Sequence, residues 1–244
     1  MNRRSPATLA LVSAVAVAIG VALVPGTATA AEVNDVSSCT TINASNAPSD
    51  GVVNLTADIT DSGKASCLNV TVDNIVVKGQ NHTIDGTDGT DTRGINVTNS
   101  SQTLTGVTIR NVTVRDWDKG VYISDASESD VRNVRANTSA DIGVFVQNSD
   151  NLTVTNVTAD ANANEGIEFD SVVDSRIENA TLTNNYEGVD LGSNVDNVTF
   201  VDGTVSGSSF RVSISAVRTT RSRKAPSRIT ETTPASPWAE RTTW

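Results

Sequence analysis

Histidine and methionine are almost missing from this sequence: His82 is the one imidazole and Met1 the one thioether. That leaves little from which to build a soft-metal site or a histidine-centred catalyst. There are two cysteines, Cys39 and Cys67. No further His or Cys lies near them at zinc-ligand spacing, so they do not read as a zinc site. They read either as one disulfide closing a loop of about 28 residues or as two free thiols. Proline is absent between Pro48 and Pro226, and no window sustains the 3.6-residue spacing of an amphipathic helix. The long middle of the chain therefore carries neither helices nor proline breaks. Basic residues are scarce there too. Residues 31–205 hold 26 Asp or Glu against 9 Lys or Arg, a balance of −17. An acidic body of this kind argues against a nucleic-acid ligand, whose phosphates want Lys and Arg. It fits a protein kept soluble by surface charge.

One long apolar run is present, at the start. Arg3 and Arg4 precede an Ala- and Val-rich stretch from Ala7 to Val24, Pro25 breaks it, and Ala28-Thr29-Ala30 supplies an A-x-A cleavage signature. Residues 1–30 read as a secretory signal peptide, with a retained membrane anchor as the alternative. The arginine pair leaves the export route open. The expected mature protein is secreted or held at the cell surface, with no membrane span after cleavage.

The rest is repetition. Gly94-Ile95-Asn96-Val97, Gly120-Val121-Tyr122-Ile123, Gly143-Val144-Phe145-Val146, Gly166-Ile167-Glu168-Phe169 and Gly188-Val189-Asp190-Leu191 share one pattern, with glycines 26, 23, 23 and 22 residues apart. A second unit interleaves with it: Asn111, Asn133, Asn156, Asn179 and Asp202 recur at 22, 23, 23 and 23 residues amid alternating apolar and polar residues. Alternation is the strand period, and a fixed period of this length marks a solenoid. Each coil holds two or three short strands between Asn/Asp/Gly/Ser corners and buries its apolar face only by stacking on its neighbours. The recurring asparagines are expected to form an internal ladder at a corner. The fold class is all-β, a right-handed parallel β-helix of coils about 22–23 residues long. An antiparallel sandwich is the rival, but it requires no such period. The chain divides into a leader (1–30), an entry or capping segment (31–74), the coils (75–215) and a basic irregular tail (216–244).

These Gly-[Ile/Val]-x-[Val/Leu] and Val-Thr-x-x-Asn-Val repeats, with Gly79 and Thr83-Ile84-Asp85-Gly86 as an entry coil, resemble the right-handed parallel β-helix repeat proteins. That group includes the NosD-like and pectin-lyase-like proteins. The acidic surface resembles that of secreted proteins of salt-loving archaea. The NosD-like resemblance implies copper handling, but the sequence lacks the His, Met and free Cys ligands for it. No Asp-Asp or His-Gly pair of the kind associated with β-helix pectinases, pectate lyases and alginate epimerases occurs.

After Val205 the pattern fades and the charge reverses: residues 206–244 carry 7 basic against 2 acidic residues. The tail reads either as a disordered basic extension or as further coils translated out of frame. Ala235-Ser236-Pro237-Trp238, shifted by one base, can conceal another Gly-[Ile/Val]-x-[Val/Leu] two repeats beyond Gly188.

On a parallel solenoid the outward residues of successive coils line up, about 4.8 Å apart. The outward position of the glycine unit reads Asn96, Tyr122, Phe145, Glu168, Asp190, flanked by Trp117, Asp118, Lys119, Asp141 and Glu165. Aromatic faces beside carboxylates suit sugar rings. Trp117, Lys119, Tyr122, Phe145 and Asp190 are the candidate substrate contacts. Asp118 with Asp141, or Glu165 with Glu168, could supply the paired carboxylates of a glycosidase or lyase. A solvated acidic face is the plainer alternative. Arg110, Arg115, Arg132, Arg135 and Arg176 are further outward candidates. No cofactor is called for, although Asp85, Asp88 and Asp91 could hold Ca²⁺ weakly. Among many Asn-x-Ser/Thr sequons, Asn43, Asn99 and Asn137 are the expected glycan acceptors, with Asn111, Asn156 and Asn179 set aside as interior. The functional expectation is an exported solenoid that binds a polysaccharide or cell-surface glycan or serves a structural role. The alternative is a polysaccharide lyase or hydrolase.

Overall fold

A computed structural model of the chain describes residues 31–214, 217 and 218. The leader, nearly all of the 216–244 tail and both readings of that tail lie outside the described residues. Two parallel sheets share one continuous apolar core. The sheet bearing the glycine units stacks Thr40–Ile42, Ser66–Val70, Arg93–Val97, Lys119–Ser124, Ile142–Asp150, Glu165–Val173, Glu187–Leu191 and Phe210–Ile214. The other, the asparagine sheet, stacks Asp35–Val36, Val52–Leu55, Val76–Lys78, Thr108–Arg115, Asp130–Asn137, Thr153–Thr155, Arg176–Glu178 and Thr199–Val201. The chain is an all-β parallel solenoid, with no helix among the described residues. Residues 31–74 enter these sheets directly, since Asp35–Val36 pairs with Val52–Leu55 and Thr40–Ile42 with Ser66–Val70. Cys39 and Cys67 form a disulfide across these first coils, which removes the free-thiol reading.

The repeat unit follows from what each position must fit. In Gly143-Val144-Phe145-Val146 both valines are buried and Phe145 faces outward, half-buried. The same alternation buries Val121 and Ile123, then Ile167 and Phe169. Each such side chain contributes roughly 1.5–3 kcal/mol, but only once the coils above and below cover it. The glycines answer to a close approach. A Cβ on Gly120 would lie 2.7 Å from the Gly143 carbonyl oxygen. On Gly143 it would lie 2.7 Å from the Gly166 oxygen, and on Gly166 2.8 Å from that of Gly188. The backbone of each coil thus occupies the space of its neighbour's side chain.

The recurring asparagines do form a ladder, but on the outside. Asn133 Nδ2 donates to Asn111 Oδ1 at 3.0 Å, and Asn156 Nδ2 to Asn133 Oδ1 at 3.1 Å. Asn133, Asn156 and Asn179 are exposed and Asn111 is half-exposed. The expected internal position is corrected for a backbone reason. These residues sit at corners with φ of 51–53°, the left-handed region that asparagine tolerates best among side-chain-bearing residues. The next residue at each corner, Val112, Val134, Val157 or Ala180, fills the interior instead. The buried ladder lies at a different corner. Asn162 Oδ1 accepts from Ser139 N, and Asn185 Oδ1 accepts from both the Asn162 backbone N and Nδ2, each at 2.9 Å. The Asn162 and Asn185 amides donate on to the Ala136 and Ala159 carbonyls.

Candidate functional site

Shared register draws the outward residues of the glycine sheet into straight rows. One row pairs Thr41, Asn69, Asn96, Tyr122, Phe145, Glu168 and Asp190 in turn. A second row carries Arg93, Lys119 and the buried Ile142, and then Glu165, Glu187 and Phe210 on later coils. Because strands stack directly, residues far apart in sequence become neighbours at about 4.8 Å spacing.

The N-terminal part of this face is aromatic and cationic. The Tyr122 and Phe145 ring centroids are 5.6 Å apart. The Arg93 guanidinium lies 4.1 Å above the Tyr122 ring, and Lys119 Nζ lies 5.9 Å from the Phe145 centroid. Both contacts are within cation–π range. Gln147 Nε2 donates to the Tyr122 hydroxyl, which fixes the ring's outer edge. Lys119 Nζ reaches Asp141 Oδ2 at 2.6 Å and Asp118 Oδ2 at 3.1 Å. Burial works against the lysine's charge, but the hydrogen bonds it donates to Asp141 and Asp118, together with their negative charges, outweigh it and its pKa is raised. Asp141 Oδ1 also accepts from Asn164 Nδ2 at 2.6 Å. Asp118 and Asp141 are thus both engaged by the same lysine.

The C-terminal part is acidic. Glu165 and Glu168 are half-buried, and both are pushed up to about 7. Burial is the main cause for each. Glu165 also feels Asp141, Glu187 and Asp190, and Glu168 feels Glu165, Asp190, Asp141 and Asp170. Carboxyls in this range are part protonated and part charged at neutral pH, a condition that acid–base chemistry uses. Beyond them Tyr186 and Phe210 form a second aromatic pair, 5.4 Å between centroids and close to perpendicular, both about half exposed.

Trp117 does not belong to the face. It is fully buried, with its indole Nε1 donating to the Ile84 carbonyl at 3.2 Å, so it cannot stack on a ligand. Its large apolar ring fills the interior behind Gly86 and, beside Val114, behind Gly94. Sequence reasoning missed Arg93, although it immediately precedes Gly94 as Lys119 precedes Gly120. It also missed the pairing of Tyr186 with Phe210.

Other candidates fall elsewhere. His82 Nδ1 contacts Asp58 Oδ1 at 3.0 Å in the entry coils. Asp85 is buried and held by Arg115 at 2.7 Å. Among the described residues no group of three His, Cys, Asp or Glu is arranged to hold a metal ion, the Asp85, Asp88 and Asp91 stretch included. A hollow of about 420 Å³ lies away from the aromatic face and is lined in part by Asn43, Thr71, Asn99 and Gln102. Asn43 and Asn99 already engage their amides, Asn43 Oδ1 accepting from Ser45 N and Asn99 Nδ2 donating to Thr71 O. Asn137 Oδ1 accepts from Asp160 N. The exposure of Asn156 and Asn179 removes the reason for ranking them below these three as glycan acceptors.

A family model described as "Right handed beta helix region" matches residues 57–222. Among solved structures, the periplasmic alginate epimerase AlgG aligns at 14% identity with a TM-score of 0.44. The alignment covers 70% of this chain and 51% of that one, so the chain spans about half the length of that protein. No curated protein matches.

Proposed function

The chain belongs to the right-handed β-helix family, and on that premise we propose that it is an exported glycan-binding solenoid. A sugar chain lies along the glycine sheet, across Tyr122 and Phe145, and meets Glu165, Glu168 and Asp190 further along the axis. The observation that carries this reading is the register: Tyr122, Phe145, Glu168 and Asp190 are consecutive members of one outward row. Aromatic rings offer flat apolar surface to sugar C–H faces, and carboxylates accept hydroxyl hydrogen bonds. The disulfide fits an oxidising compartment and the acidic body fits a secreted or surface protein. A glycan array followed by calorimetry on the hits tests it. Phe145→Ala should weaken binding about tenfold, in line with the loss of roughly 1–2 kcal/mol of ring contact. If no glycan binds, the solenoid has a structural role only.

One observation favours catalysis on the same face: Glu165 and Glu168 are both held near neutrality. In that reading they act as the acid and base of a polysaccharide hydrolase or lyase. Assays for new reducing ends and for unsaturated products discriminate the two. Turnover that disappears in both Glu165→Gln and Glu168→Gln makes the protein an enzyme; binding without turnover makes it a module. These variants are better probes than Asp141→Asn, which would also unseat Lys119 and Asn164.

A further inference from the structure

We infer that the asparagine sheet carries a second binding site, for an acidic polysaccharide bearing about one carboxylate or sulfate per sugar. The site is the column of Lys78, Arg110 and Arg132, with Arg135 beside it. It lies on a different sheet from Tyr122 and Phe145 and does not depend on what those rings bind.

The first ground is where the cations are. Of the nine basic residues between 31 and 205, five fall on three consecutive coils of this one sheet: Lys78, Arg110, Arg115, Arg132 and Arg135. Register sets Lys78 against Arg110, and Arg110 against Arg132. Three like charges therefore stack at steps of about 4.8 Å. Such a column opposes folding. It stands in a chain that has acids to spare for breaking it.

The second ground is that the protein leaves these charges unmatched. Arg115 is held by Asp85 and Asp116. The other four make no ion pair among the described residues. Asp130 shares the strand and face of Arg132 but pairs with none of them. Glu178 lies two coils beyond Arg132 and is held by Arg176. Arg110 Nε is buried with no hydrogen-bond partner among the described residues, while Arg110 as a whole stays partly exposed. The protein thus gives this guanidinium neither a counter-charge nor an acceptor, and an anion laid over the column supplies both.

Spacing and flank name the class of anion. One cation per coil matches a polymer with a single charge on each ring. Double-stranded nucleic acid carries one charge per about 1.7 Å, far denser than the column. The acidic body as a whole also repels dense polyanions and anionic membranes. Beside the column runs the amide ladder of Asn111, Asn133 and Asn156, each one residue past Arg110, Arg132 and Thr155. Within it Asn133 spends one N–H and one lone pair, which leaves its second N–H and second lone pair for sugar hydroxyls.

The test is calorimetry on the full chain at low salt with hexagalacturonate, its methyl ester and a chondroitin sulfate hexasaccharide, alongside a short DNA duplex and anionic phospholipid vesicles. At least one acidic hexamer should bind about tenfold tighter than the ester, the size of one charged contact, and should weaken as NaCl rises. Which of the two binds names the oxyanion. Arg110→Gln and Arg132→Gln should each lower that affinity about tenfold, and Arg110→Lys should keep part of it. Arg176→Gln and Phe145→Ala should leave it unchanged. Because the column repels itself, the glutamine variants should melt no lower than the parent, which separates lost binding from lost fold. Equal binding of the ester overturns the inference, as does failure of both acidic hexamers. DNA or vesicles binding as tightly as the hexamers also overturn it, since the column would then take any polyanion. Binding lost in Phe145→Ala but kept in the arginine variants places the acidic glycan on the glycine sheet. That result overturns this inference and leaves the glycan-binding reading above standing.

Discussion

At the scale of the residue, the two raised glutamates carry a cost that can be measured. A glutamate in the unfolded chain titrates near 4.5, and Glu165 and Glu168 titrate near 7 in the fold. Between those values the folded state binds more protons than the unfolded one. Stability therefore falls as pH rises from about 4.5 to about 7 and is level beyond. Glu168→Gln removes one such group. The variant should match the parent at low pH and exceed it above neutrality by about 1 kcal/mol, a figure reduced from the full shift because the side chain is half-exposed. Paired urea melts across that pH range check this, and an unchanged difference between the two proteins at all pH values would refute it. Asn162 tests the opposite kind of buried polar group. It bonds Ser139, Ala136 and Asn185. Asn162→Leu would leave those backbone and amide partners dry, and should destabilise by about 2–4 kcal/mol in equilibrium unfolding. Asn156→Ala, at an exposed corner, should cost about 1 kcal/mol or less.

At the scale of the element, the coil was readable because its constraint is periodic. Val144 and Val146 point inward in every copy of the unit, and the glycine recurs because the next coil's backbone passes within 2.7–2.8 Å of its missing Cβ. Gly143→Ala should therefore destabilise by at least about 2 kcal/mol, because the methyl meets backbone on one side and the Asn162 amide on the other. A melting temperature within a degree of the parent would show that the stack can open to admit it. The candidate row was readable for the same reason: outward residues at one repeat position must align. What escaped the sequence was anything set by the direction of a side chain at a corner. Trp117 precedes Asp118 and has the look of an exposed aromatic, but the turn after Arg115 directs it into the core. The recurring asparagines are expected inside, where their amides would satisfy corner backbone groups and the asparagine of the next coil. Their left-handed backbone instead places the ladder outside, and the sheltered one belongs to Asn162 and Asn185, which occupy only two coils and so show no long period. The cysteine pair fell between these cases, since export made a disulfide reasonable but spacing could not settle it. Reducing it should cost about 3.5 kcal/mol for a loop of 28 residues, read from urea melts with and without reductant.

At the scale of the molecule, stacking that makes a row of ligands also makes a row of like charges. Residues 31–205 carry a balance of −17, and coil spacing brings carboxylates of successive coils within about 5–10 Å. That distance is inside or near the Debye length at physiological ionic strength, about 8 Å, and well outside the 3 Å of 1 M salt. Added salt therefore acts on two opposing populations. It weakens the ion pairs, such as Arg115 with Asp85 and Lys119 with Asp141, and relieves the repulsion among the remaining acids. The acids outnumber the bases nearly three to one, and the pairs include partly buried groups that salt screens least. Relief should win. The melting temperature should rise between 0.1 and 1 M NaCl, by about 2–4 °C for each kcal/mol of repulsion removed. Sodium chloride is the right salt, because sulfate would stabilise any protein by exclusion from its surface. The Glu165→Gln, Glu168→Gln double variant serves as the internal control: it should start higher at low salt and gain less. A melting temperature that falls with NaCl would mean that the ion pairs dominate, and equal gains in parent and double variant would mean that the repulsion lies elsewhere than on the candidate face.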